Sequence, residues 1–400
     1  MKVAYLVSRF PHLPESFVLR EIDALEREGI EVLLCPLLRH REPVSHPAAA
    51  PWVERAVYTP FVSASLLRAA GAALARRPLR VSGTYGSALF RVAGTPNFLL
   101  GMAGIALKLP YLAARLEAEG VAHVHAHFAT HPALAAWAIS RLNGIGYSFT
   151  AHAHDIYVHT AMLREKMAAA RFVVTVSEYN RRLLSRFGDV GKVHVVRCGI
   201  DLSRYAFRAR DPGHPFSILS VASLQPYKGL EHLVRACGIL RDRGRGPFRC
   251  EIIGGGEERE ALERWIRTLA LEECVRLAGP RPEEDVAAAL NAADAFVLPS
   301  VVTPSGKMEG LPVSLVEALA VGVPAISTSI SGIPEIVVPG ETGLLVPPAE
   351  PERLAEAIEQ VILDPAGARE RAAKGRRLVE AEFSLDRSAR ELAERFRQAA

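Results

Sequence analysis

The sequence predicts an α/β protein made of two doubly wound, Rossmann-like halves, and three observations carry the prediction. At roughly 100 to 200 residues per domain, 400 residues are enough for two cores. From Phe216 onward, short apolar runs alternate with longer amphipathic stretches, the pattern of a parallel sheet with crossover helices. The first half repeats that rhythm less cleanly.

In the first half, strands are expected at 3–7, 32–36, 121–125, 147–150, 172–176 and 193–196. Residues 61–118 break the alternation and read as a helical insertion, with a basic amphipathic piece at 63–77. One reading makes the insertion a cover for the sheet. The other makes it an acceptor-side or membrane-surface element, because Arg68, Arg76, Arg77 and Arg80 stand beside Leu66, Leu67 and Leu79, a pattern suited to anionic lipid heads. Residues 204–215, charged and containing Pro212, Gly213 and Pro215, read as an exposed linker. The expected units are therefore 1–205 and 206–383. In the second, strands fall at 217–222, 249–253, 275–278, 295–298 and 324–327, and helices at 230–240, 259–269 and 283–290.

Composition narrows the function classes. With 49% hydrophobic and 23% charged residues the chain has the make-up of a globular protein. A formal charge of +4 from scattered basic residues argues against a nucleic-acid partner. Five cysteines without C-x-x-C spacing indicate reduced core residues in a cytoplasmic protein. The apolar start stops at Ser8-Arg9, short of an export signal, and the longest apolar stretch, 98–107, is about half of the roughly 20 residues that cross a bilayer.

The most informative segment is Lys307-Met308-Glu309-Gly310-Leu311-Pro312-Val313-Ser314-Leu315-Val316-Glu317-Ala318. A glycine-bearing loop runs into a helix that Pro312 opens and that Gly322 and Pro324 stop. Free amides at the helix start suit a diphosphate or sugar hydroxyls, and the two carboxylates suit hydroxyls. Eight helical positions turn through about 800°, so Glu317 would stand about 80° from an in-helix Glu309, and the pair would grip different parts of one long ligand. Upstream, Ser220-Val221-Ala222-Ser223-Leu224-Gln225-Pro226-Tyr227-Lys228-Gly229 puts Lys228 in a strand-to-helix loop where it can meet phosphate.

The E-x7-E of this segment resembles the donor-site motif of retaining GT-B glycosyltransferases of family 4, the "glycosyl transferases group 1" type, especially those of exopolysaccharide (colanic-acid-like) assembly. The resemblance covers nearly the whole chain. It implies a GT-B fold, two Rossmann-like domains facing each other across a cleft, with residues 384–400 crossing back to the first. It also implies a nucleotide-diphosphate sugar donor, UDP- or GDP-linked, and a glycan or lipid-linked acceptor. No cofactor and no metal are expected, and peripheral contact with the cytoplasmic face of the inner membrane is compatible with the role.

By this resemblance Glu309 holds hydroxyls of the transferred sugar, Glu317 the ribose, and the backbone at Gly310, Leu311 and Pro312 seats the sugar. Lys228 stabilises the leaving diphosphate, Arg281 contacts the base, and His152 in Ser148-Phe149-Thr150-Ala151-His152-Ala153-His154-Asp155 is the active-site histidine. His154 and Asp155 orient that histidine or bind the acceptor, and His127 and Arg9 are assigned to the acceptor side. Two departures stand out. Ser223 occupies the place where the family usually has an arginine, with Arg9 as a candidate replacement, and 9–17, containing Glu15-Ser16-Phe17, replaces a glycine-rich loop.

Three histidines, His123, His125 and His127, alternate and share one strand face, but no acidic neighbour in sequence completes a metal set. Gly254-Gly255-Gly256 can approach a ligand closely, while 331–335 and 340–346 read as structural turns. The rival readings are a nucleotide-sugar epimerase or hydrolase on the same plan, and a non-catalytic sugar-binding subunit.

Overall fold

A computed structural model describes residues 1–11, 16–40, 47–208 and 212–400. Glu15 and the middle of the expected linker, 209–211, lie outside them. The chain divides into two compact units. The first comprises Met1–Val176, Asn180–Arg197 and Leu385–Ala400, the second Ser177–Tyr179 and Cys198–Ser384.

The first unit contains β1 (Lys2–Phe10), α1 (Ser16–Arg27), β2 (Glu31–Arg39), α2 (Ala50–Arg55), α3 (Ala64–Arg76), α4 (Pro78–Val92), α5 (Pro96–Ile105) and α6 (Lys108–Ala118). Then follow β3 (His123–His127), α7 (His131–Asn143), β4 (Tyr147–Ala151), α8 (His154–Tyr157), α9 (Leu163–Ala169), β5 (Phe172–Thr175), α10 (Glu178–Leu184, whose first two residues count with the second unit) and β6 (Val193–Val195). Its sheet is parallel, in the order β2-β1-β3-β4-β5-β6. Alternation along β1 sends Ala4 and Leu6 into the core beneath α4 to α7, and Val3, Tyr5 and Val7 into the core against α1.

The second unit contains β7 (Phe216–Val221), α11 (Leu230–Asp242), β8 (Phe248–Ile253), α12 (Arg259–Thr268), β9 (Val275–Gly279), α13 (Glu283–Ala292) and β10 (Ala295–Leu298). It continues with α14 (Val313–Val321), β11 (Ala325–Thr328), β12 (Gly343–Val346), α15 (Pro351–Leu363) and α16 (Pro365–Glu382). The order β12-β11-β10-β7-β8-β9 is again parallel. The last helix, α17 (Leu385–Ala399), belongs to the first unit, where Leu392, Ala393 and Phe396 pack beneath Tyr5 and Phe172.

Four expectations change. The crossing between units falls at Arg197/Cys198 rather than 205/206, because the supposed linker is anchored in the second unit. There the Ile200 amide donates to the Phe383 carbonyl at 2.8 Å, Tyr205 is 3% exposed, and the Gly213 amide donates to Asp294 at 3.0 Å. β3 runs two residues further than expected and ends on His127. Gly343–Val346 is an edge strand paired with β11, not a turn. Leu66 points inward, at 1% exposure, although its neighbours Arg68 and Leu67 point out.

In each unit the strand order reverses at one place, between β1 and β3 in the first and between β7 and β10 in the second. Loops leaving the carboxyl ends of neighbouring strands diverge there and open a crevice, the usual ligand position in an open parallel sheet.

Candidate active site

At the switch point of the second unit, the loop after β7 carries Lys228 and the loop after β10 carries Glu309. The Lys228 ammonium donates to the Glu309 carboxylate, with both side chains nearly buried, 11% and 12% exposed. Burial works against the charge on Lys228, but Glu309 and Tyr227 outweigh it and hold the group above its ordinary value. Lys228 is thus a fixed cation, held by one carboxylate.

The local chain explains the placement. Lys228 ends a short 3-10 turn, Pro226–Lys228, and Gly229 leaves it at φ +62°, where a Cβ would stand 2.2 Å from the Pro299 carbonyl oxygen. Only glycine lets the two loops approach so closely, and the Val301 amide donates to the Tyr227 carbonyl at 2.8 Å to tie them. The glycine run serves the same loop. A Cβ on Gly254 would meet the Ala222 carbonyl oxygen at 1.8 Å, and the Leu224 amide donates to Gly255 at 2.9 Å. Gly254–Gly256 is thus packed against the backbone that presents Lys228.

Helix α14 begins at Val313 with Pro312 as its N-cap, so Glu309 stands in the loop before the helix and not on it. No side chain caps that end, and while the Leu315 amide donates to the Pro312 carbonyl at 3.1 Å, those of Val313 and Ser314 have no helical acceptor. Gly322 ends the helix at φ +87°. Gly310, Leu311 and Pro312 are buried, with the Gly310 carbonyl accepting from the Ser331 hydroxyl at 3.1 Å. Glu317, on the helix, accepts from the Tyr205 hydroxyl at 2.9 Å. Glu309 and Glu317 therefore have separate partners, as suits grips on different parts of a ligand. Arg281 is exposed in the loop after β9, and Ser223 is exposed upstream of Lys228.

Two neighbours escaped the sequence reading. Tyr205 fell in the supposed linker. Lys307 stood in the quoted motif without a role, yet its ammonium lies 4.7 Å from the Tyr227 ring centre and that of Lys228 lies 5.1 Å from it. Two cations thus flank one ring.

In the first unit, His127 ends β3 and is fully buried. Its Nδ1 is 3.1 Å from His152 Nε2, and its Nε2 donates to Glu21 Oε1 at 2.8 Å. The Tyr5 hydroxyl donates to the same carboxylate oxygen at 2.8 Å. Burial works to raise the Glu21 carboxyl, but His127 and Tyr5 outweigh it and hold it below its ordinary value. His152 is pushed down to about 4 by burial, with His127 adding to the effect, so it is neutral at pH 7. The rings of Phe17 and Phe128 lie 5.0 Å and 4.8 Å from it. Phe128 holds a left-handed φ of +74°, unusual for an aromatic, as the chain leaves β3 for α7.

Asp155, fully buried, accepts from the amides of Ala129, Ala153 and His152, at 2.8, 2.7 and 3.1 Å, so it braces the loops that hold His152. His127 has both nitrogens engaged inside the protein, by His152 and Glu21. His154 and Arg9 are exposed at the carboxyl ends of their strands.

An acidic partner that sequence adjacency did not reveal does reach the histidines. Glu21, from α1, brings a ligand-type oxygen within 4.8 Å of His125 and His127 nitrogens. The polar atoms are already matched within the protein, since His125 bonds Ser148 and Thr150 at 2.8 and 2.9 Å while His127 bonds His152 and Glu21. A metal would have to displace these bonds.

A cation and a carboxylate thus meet at the switch point of one Rossmann-like unit, the usual ligand position in such a sheet. Comparison with known proteins places the chain in a family. The model of the glycosyl transferases group 1 matches residues 204–378 and that of glycosyltransferase family 4 matches 14–204. The chain is 37% identical over 217 residues to the amylovoran biosynthesis glycosyltransferase AmsK of Erwinia amylovora, covering 54% of this chain and 53% of that one. It is 42% identical over 168 residues to the putative colanic acid biosynthesis glycosyltransferase WcaL of Escherichia coli, covering 42% and 41%. The matched stretches thus span about half of these relatives or less.

Among solved structures, the UDP complex of HepE from Anabaena superposes with a TM-score of 0.73 at 17% identity, covering all of both chains. Sucrose-phosphate synthase from Thermosynechococcus elongatus gives 0.72 at 21%, covering 100% and 98%. These establish the GT-B fold. The chain belongs to the glycosyltransferases of group 1 and family 4.

Proposed function

We propose that the protein is a retaining, metal-independent glycosyltransferase that moves a hexosyl group from a UDP- or GDP-sugar to a glycan or lipid-linked acceptor, in exopolysaccharide assembly on the cytoplasmic side of the inner membrane. The observation that carries this reading is the Lys228–Glu309 pair at the switch point, beside the open amides of α14. The two groups satisfy each other in this structure. A donor offers each a better partner, diphosphate for Lys228 and sugar hydroxyls for Glu309. HepE, whose structures hold UDP and UDP-glucose, supports a nucleotide-sugar donor, and the names of AmsK and WcaL support exopolysaccharide assembly.

In this mechanism the acceptor oxygen attacks the anomeric carbon on the face from which the diphosphate departs. The bond from that carbon to the phosphate oxygen breaks with its electron pair going to the diphosphate, and the acceptor proton passes to the departing phosphate. Lys228, the α14 amides and Lys307 stabilise the charge that builds there. Lys307 takes the place of the family's arginine, absent at Ser223. Glu317 holds the ribose and Arg281 the base. His152 is the active-site histidine of the first unit, with Arg9 and His154 at the acceptor side.

The test is a screen of UDP- and GDP-sugars by thermal shift. A donor that binds only the native state raises the melting temperature, and Glu317→Ala abolishes the rise. With that donor, Lys228→Ala lowers turnover by about 10²- to 10³-fold. Wild-type turnover in Lys228→Ala would sink the mechanism, and hydrolysis of the donor without any acceptor would favour the epimerase or hydrolase class.

A further inference from the structure

Of the fifteen large apolar side chains left exposed among the described residues, nine lie between Phe61 and Leu100, in one tenth of the sequence. Loose packing does not explain this, since α3, α4 and α5 each bury a face. Leu66, Ala88, Val92, Phe98 and Met102 are all at most 4% exposed. The outer faces are a second, separate apolar set, with Leu79 86%, Phe90 82%, Leu100 73% and Leu67 53% exposed.

Charge on the same stretch has one sign. No aspartate or glutamate occurs between Glu54 and Glu117, against eight lysines and arginines. Arg77 and Arg91 reach out of the stretch to Glu117 and Glu165, whereas Arg68, Arg76 and Arg80 pair with no carboxylate among the described residues. Protruding apolar side chains beside unneutralised arginines, on helices of 10 to 15 residues, are the composition of helices that lie in a lipid interface. They are too short to span a bilayer. The bent pair α5–α6 has the combined length and hydropathy of a span, but α6 turns Leu109, Leu112 and Leu116 into the core.

We infer that the outer faces of α3, α4 and α5 form a docking surface for a bilayer containing anionic phospholipid. Leucine and phenylalanine side chains enter the acyl boundary while Arg68, Arg76 and Arg80 meet phosphate heads. Beneath the surface, Phe98 of α5 stacks on His131, the first residue of α7, at 4.8 Å and 23°, so the surface and His152 belong to one unit. A lipid-linked acceptor would thus be held against the unit that carries His152, a consequence that rests on the transferase reading, whereas lipid binding does not.

The test is co-sedimentation of the full chain with vesicles of phosphatidylcholine alone and of phosphatidylcholine mixed with phosphatidylglycerol. Binding is expected to the mixed vesicles only, weakening as salt screens the arginines. Leu79→Glu with Phe90→Glu, and separately Arg76→Glu with Arg80→Glu, each weaken it about tenfold or more, with the melting temperature kept as evidence of an intact fold. Equal binding to neutral vesicles, no binding, or full binding by both variants overturns the inference. So does a dimer that the Leu79/Phe90 variant disperses, since the surface would then seat a second copy. A failed donor screen leaves the vesicle result standing, so the two proposals fail separately.

Discussion

Glu21 decides what His152 can offer a ligand. An ionised carboxylate only accepts, so His127 must carry its proton on Nε2, where Glu21 lies 2.8 Å away. When His127 is neutral its Nδ1 is a lone pair, and His152, 3.1 Å away, must then donate from Nε2. That leaves His152 Nδ1 as an acceptor, which in the proposed function takes a substrate hydroxyl. Glu21→Ala should release this order and lower turnover roughly tenfold or more while donor KM stays near wild type, because the donor's other grips are untouched. His127→Asn, whose oxygen still accepts at the Nδ1 position, should retain more activity. Nitrogen-15 NMR of the ring is the check on cause: wild type shows His152 protonated on Nε2, and a Glu21→Ala spectrum unchanged from wild type would defeat the argument.

Among the elements, α9 carries a group that the fold holds at a cost. Lys166 is fully buried, with its amine donating to the Ala129 carbonyl and standing 5.4 Å from the Phe98 ring centre. Burial, opposed by Asp155 and Glu165, lowers it from 10.5 to about 7. Between these values the unfolded chain binds a proton that the native one lacks, so this group makes stability rise with pH across that window, its cost being full below about pH 7. Lys166→Met should therefore stabilise the protein by roughly 2 to 4 kcal/mol at neutral pH, and by less as pH approaches 10. Urea titrations across the window test this, and an undiminished pH slope in the variant would refute it. Lys166 also shows what the sequence leaves unsaid, since nothing around it in sequence marks it as buried. Elements whose residues carry a local rule were legible: α14 opens at Pro312 and closes at Gly322 as a helix start and stop should. The short edge strand β12 reads as a turn because pairing with β11, not its own pattern, makes it a strand. Glu309 and Lys228 were found from motif, but their pairing depends on the β7–β10 switch, and the Glu21–His127 bond joins residues 106 apart.

On the scale of the whole molecule, the first unit closes only with the last helix of the chain. Phe396 is fully buried and meets the rings of Tyr5, His125 and Phe172 at 6.2, 5.2 and 5.9 Å. It thus covers the face of the sheet on which His125 and His127 stand. Phe396→Ala leaves a cavity there and should cost about 3 to 5 kcal/mol, a large share of the stability of a domain. The loss should be local to one unit. Hydrogen exchange read by mass spectrometry should show β1, β3 and α1 losing protection while β7, β10 and α14 keep theirs, because no residue of α17 belongs to the second unit. The donor-induced thermal shift should survive for the same reason, and transfer should fall as the histidine face loosens. Equal loss of protection in both units would mean that they unfold as one cooperative body, and would refute an effect confined to the first unit.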